Sequence, residues 1–108
     1  MKTLKFTPPL VKMILDGNKT TTWRLFDDKD LQPGDKLNLQ NCETGEDFAK
    51  AEILEIQEKE LGKLESTDFD GHEKFLDQED MLEQYREYYG EKVNLNTIVK
   101  VIKFRLVK

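Results

Sequence analysis

The last thirteen residues, NTIVKVIKFRLVK, constrain the fold more than any other stretch. Thr97, Ile98, Val99, Val101, Ile102 and Val107 branch at Cβ, and Phe104 adds an aromatic ring. Branching restricts χ1 against a helical turn and favours an extended backbone. The segment therefore reads as a long closing strand, and the rest of the chain has to supply the sheet around it.

The upstream segments fall into short pieces. TLKFT (3–7) alternates and reads as a strand. Pro8 and Pro9 suit a first helical turn, Leu10, Met13 and Ile14 share one helical face, and Gly17 stands where a helix ends. These signals predict a helix over 9–16. KTTTWRL (19–25) reads as a second strand. DDKDLQPGDKL is a loop with a turn at Pro33 and Gly34. DKLNLQN, the turn ETGED and the long FAKAEILEIQEKEL make a hairpin. GKLESTDFDGHEKF is irregular or a short helical turn. In LDQEDMLEQYREYYG, Asp77 caps a helix, Met81, Leu82, Tyr85 and Tyr89 form its apolar face, and Gly90 stops it. The order is strand, helix, three strands, helix, strand. It predicts one α+β domain over 1–108, its mostly antiparallel sheet curled into a small barrel with two main flanking helices.

Charge narrows the function classes. The formal net charge is −5, but the chain up to Leu25 carries five cations and one acid, leaving −9 beyond it. An acidic field repels long polyphosphates, so tight nonspecific binding to long nucleic acid is excluded while a local cationic pocket is not. No apolar run approaches a membrane span, and the basic N-terminus lacks a long apolar region after it. The lone Cys42 excludes an internal disulfide and a cysteine-rich zinc site, and it is read as packing or accident rather than as a nucleophile. These features predict a cytoplasmic protein, a monomer by default, with no cofactor and no metal.

The chemistry concentrates in GNKTTTWR (17–24). In a regular strand Thr20, Thr22 and Arg24 face one way and Thr21, Trp23 and Leu25 the other. Thr20 or Thr22 could serve as a nucleophile if a base takes the hydroxyl proton, and Lys19 is the nearest base. Arg24 offers a planar fork for a phosphate or a base carbonyl. Asp68, Asp70 and Glu73 are the carboxylates available to orient the lysine or protonate a leaving amine. The alternative is a strand with solvated cations. His72, the one histidine, lies between Asp70 and Glu73 but makes a weak metal-ligand set. Tyr85, Tyr88 and Tyr89 could stack on a base, although the spacing of Tyr85 and Tyr89 reads as core.

ILDGNKTTTWR, LQPGDKLNL, DGHEKF, YREYYG and the closing KFRL together resemble the ASCH domain family, which is related to the PUA domains of RNA-binding proteins. The resemblance covers nearly the whole chain. It implies a small PUA-like β-barrel with a cleft for a nucleotide or RNA. The form K-T-x-T-x-R is similar to that of small bacterial amidohydrolases that deacetylate N4-acetylcytidine through a lysine, a threonine and a glutamate. Carried over, these are Lys19, Thr22 and Glu73, with Asp70 as the fallback carboxylate and Thr20, Arg24 and Asp70 as substrate-binding residues. The chain departs from those enzymes at Trp23, in the loop and hairpin from Leu25 to Lys50, and in the Gly71-His72 pair. The resemblance implies a modified nucleoside as substrate. The alternative is a non-catalytic module, or a ribonuclease, for short single-stranded RNA, with Lys19 and Arg24 on phosphate or base edges and Trp23 stacking.

Overall fold

The structure is a computed structural model that describes every residue except Asp28, Glu73 and Lys108. Five strands and two α-helices follow the expected order: β1 (Lys2–Phe6), α1 (Pro8–Leu15), β2 (Thr21–Leu25), β3 (Lys36–Asn41), β4 (Asp47–Glu60), α2 (Gln78–Tyr89) and β5 (Ile98–Val107). Two 3-10 turns, Leu61–Lys63 and Ser66–Phe69, lie between β4 and α2.

The strands form one sheet in the order β1-β3-β4-β5-β2. The β3–β4, β4–β5 and β5–β2 pairings are antiparallel, and β1 runs parallel to β3. The sheet curls into a half-barrel, so the fold is α+β. The closing strand is its axis: β5 pairs with β4 along nearly its whole length and with β2 on its other side.

β5 buries residues on both of its faces, one face near its start and the other near its middle, which explains its dense apolar sequence. Ile102 and Phe104 join a core with Leu4, Phe6, Leu37 and Ile53, sealed by Ile14 of α1. Val99 and Val101 join a second core with Trp23, Leu25, Met81 and Tyr85, sealed by α2. A shift of register between Ile53 and Glu55 of β4 occurs beside this change of face.

The helix ends follow the sequence. Gly17 takes φ +82°, which a β-carbon would resist, and the Asn18 and Lys19 N–H groups both donate to the Met13 carbonyl. The Asp77 carboxylate accepts the Asp80 N–H at 2.8 Å, as an N-cap should. The 27–35 loop is pinned by buried Leu31 and by Lys100, whose ammonium lies 2.7 Å from Asp27. Among the described residues no helix is long and apolar enough to cross a membrane.

Candidate functional site

β1 and β2 are the two edges of the curled sheet, and curling brings them face to face without a ladder between them. Arg24 spans the seam. Its Nη2 donates to the Lys5 carbonyl at 2.9 Å, and its guanidinium carbon lies 4.7 Å from the centre of the Phe6 ring. A hydrogen bond and a cation–π contact thus join the two edges through one side chain.

A pocket of about 290 Å³ opens at this seam. β1 and the start of α1 supply Lys5, Phe6, Thr7 and Leu10. β2 supplies Thr22, Trp23 and Arg24. His72 and the helical tyrosines Tyr85, Tyr88 and Tyr89 complete the wall, and Cys42 lies at the far end of β3. This volume is at the lower end of small-molecule sites, so it suits one nucleoside and not a long strand. Its aromatic walls suit a flat ring, and Thr22 and Arg24 are its lining residues with a hydroxyl and a cationic group.

The floor is held by the DGH turn. Thr20 and Thr21 N–H groups both donate to the Gly71 carbonyl, at 2.8 and 3.0 Å. The Thr21 hydroxyl donates to the Asp70 carbonyl at 3.0 Å. Gly71 has φ +73°, and a β-carbon there would come within 2.0 Å of the Thr20 hydroxyl oxygen. The turn therefore requires glycine for two reasons. His72 follows and stacks on Trp23, ring centres 4.0 Å apart, while Tyr85 stacks at 6.2 Å and Phe69 meets the indole edge-on at 5.0 Å. Trp23 is thus a buried core residue that also forms part of the pocket wall. Its Nε1–H is buried and finds no acceptor among the described residues.

Lys19 is 2% exposed, and its Nζ donates to the Thr21 carbonyl at 2.9 Å, one peptide before Thr22. Thr22 is 4% exposed and lines the pocket. Regular strand geometry begins only at Thr21, so Lys19 and Thr20 lie in the turn, outside the strand's alternation. Thr20 precedes the strand, is exposed and lies against Gly71, outside the pocket wall. Asp70 is exposed, and the group it gives to β2 is its backbone carbonyl. Glu73, the expected carboxylate, lies outside the described residues. Asp68 is paired elsewhere, with Lys59 at 2.8 Å. Cys42, read as packing or accident, is exposed. Tyr88, which the sequence left open as a stacking residue, is 62% exposed on the pocket rim.

Among the described residues no group of three or more His, Cys, Asp or Glu side chains is arranged to hold a metal ion. No local signal marks the Trp23–His72 stack or the place of Lys5 and Phe6 in the site. The GH pair was visible as unusual, and its role in docking a loop on β2 depends on a contact about fifty residues away in the chain.

This curled sheet with its two helices is an ASCH-type fold. The ASCH domain from Lactobacillus crispatus aligns over 88% of this chain and 68% of its own, with a TM-score of 0.65 and 15% identity. ASCH from Zymomonas mobilis aligns over 95% and 65%, with a TM-score of 0.62 and 16% identity. The hypothetical protein PH0355 aligns over 99% and 100%, with a TM-score of 0.75 and 22% identity. No protein-family model and no curated protein matches the sequence. Identities this low carry the fold and leave the chemistry to the site.

Proposed function

We propose that this ASCH-type domain binds a modified nucleoside in the seam pocket and hydrolyses an acyl amide on its base, N4-acetylcytidine being the model substrate. The observation that carries the reading is the placement of Thr22. Its buried residue lines an aromatic-walled pocket of nucleoside size, one peptide beyond the carbonyl that holds the Lys19 ammonium. In this reading Thr22 Oγ attacks the acyl carbonyl carbon and its proton passes to Lys19 Nζ, which must be neutral at that moment. Collapse of the tetrahedral intermediate breaks the carbon–nitrogen bond, and the amine leaves with a proton returned from Lys19 through Glu73. Water then hydrolyses the threonyl ester, releasing acetate. Arg24, two residues along the strand and lining the same pocket, is the donor proposed for the oxyanion.

The acidic net charge and the size of the pocket favour this over a long RNA partner. Incubation with N4-acetylcytidine and chromatography of released cytidine tests it. Turnover by the native chain, reduced at least about a hundredfold in Thr22→Ala, is the expected result. Undiminished turnover in Thr22→Ala would remove this nucleophile. Binding of the nucleoside without turnover would favour a non-catalytic module.

A further inference from the structure

The seam pocket does not end at Tyr85 and Tyr88. A second hollow of about 220 Å³ adjoins them. Thr7, Leu10, Tyr85 and Tyr88 border both spaces. Pro9 and Gln84 belong to the second alone. The two spaces are thus neighbours at the start of α1 and the tyrosine-bearing part of α2.

Their chemistry differs. Lys5 and Arg24 face the first space, whereas no charged side chain among the described residues lines the second. A phosphate entering the second space would lose its water and meet no cation. An uncharged, largely apolar group would instead replace water on Leu10, Pro9 and the tyrosine rings, which is favourable. Tyr88 and Tyr85 meet edge-on, ring centres 6.3 Å apart, so the shared wall offers ring surface to both compartments.

We infer that the ligand is bipartite: a base occupies the seam pocket and carries a second, uncharged apolar group that occupies the compartment between α1 and α2. This rests on the nucleoside reading of the seam pocket and narrows its substrate class. Such a group has two chemical sources, a bulky acyl substituent on the base or a neighbouring base in a dinucleotide.

Calorimetric titration with cytidine, N4-benzoylcytidine and cytidylyl-adenosine separates them. The Thr22→Ala protein is used so that no amide is cleaved during the measurement. Gln84→Trp, made on the same background, fills the compartment from a surface position outside the seam pocket. The expected result is that one extended ligand binds at least about tenfold more tightly than cytidine, and that Gln84→Trp abolishes that gain while leaving cytidine unchanged. A gain for N4-benzoylcytidine assigns the acyl source, and a gain for cytidylyl-adenosine assigns the neighbouring base. Cytidine binding with no gain from either extension overturns the bipartite ligand and leaves the seam pocket's reading standing. A gain that survives Gln84→Trp also overturns it. No binding by any of the three overturns both readings.

Discussion

At the scale of single residues, the site depends on a glycine as much as on any reactive group. The Gly71 carbonyl receives two N–H groups from the residues just before Thr22, so the turn fixes where β2 begins. Gly71→Ala would strain a left-handed backbone and press a methyl group onto the Thr20 hydroxyl. We expect a loss of about 2 kcal/mol in urea unfolding, with nucleoside binding weakened in the fraction that remains folded. A stability unchanged within error would show that the loop moves aside at no cost. Sequence reading placed Thr22 on the correct strand because β2 is a local object. It put Thr20 on the same face as Thr22 by extending the strand two residues too early. The docking of Gly71 is what ends the regular geometry there.

At the scale of elements, α2 matters because it presents three tyrosines to the seam. Its N-terminus is secured by Asp77 and its C-terminus by Gly90 at φ +96°. Asp77→Ala removes the acceptor for the Asp80 N–H and should cost about 1 kcal/mol, read as a lower midpoint in thermal unfolding. Asp77→Asn or Asp77→Ser should restore most of it, whereas a purely electrostatic role would be left unrestored by either. Both helices were legible in the sequence to within about two residues, since apolar spacing, caps and stop residues are local signals. The facing of the tyrosines was legible only in part. Tyr85 and Tyr89 carry the core spacing, but they are also pocket wall, because a helix at the rim of a half-barrel shows one flank of its buried stripe to the opening.

At the scale of the whole molecule, two of the ion pairs hold buried carboxylates and contribute to the response to pH. Lys100 of β5 holds Asp27 of the loop after β2, and Lys59 of β4 holds Asp68 beside the DGH turn. Burial works against ionisation of both carboxylates. At Asp27 it is outweighed by the Lys100 ammonium and the Leu31 and Lys29 N–H groups, so its pKa falls below the ordinary value. At Asp68 the Glu65 N–H and Lys59 do the same. A carboxyl with a lowered pKa in the folded state contributes stability above its unfolded value of about 3.9. That contribution is lost as pH falls through the folded pKa. The urea midpoint should therefore drop between pH 5 and pH 2, about the span over which such groups titrate. Asp27→Asn should flatten part of that drop, and an identical pH profile in the variant would show that the pair adds nothing. Lys100, raised by its bond to Asp27, works at the other end: its stabilisation is complete below the ordinary lysine value and lost as pH climbs through the raised one.

The sequence by itself determined what neighbours along the chain can decide: the kind and order of the elements, their caps and turns, the apolar faces, and the strand that carries Thr22. β-branching, helical spacing and glycine at positive φ act within a few residues, so they are readable there. The tertiary structure alone decided the parallel pairing of β1 with β3, the approach of the two sheet edges, and the burial of His72 against Trp23. It also made the pocket, whose walls come from Lys5 at one end and Tyr89 at the other. These depend on how the sheet curls, and curling is a sum over all five strands that no single stretch encodes.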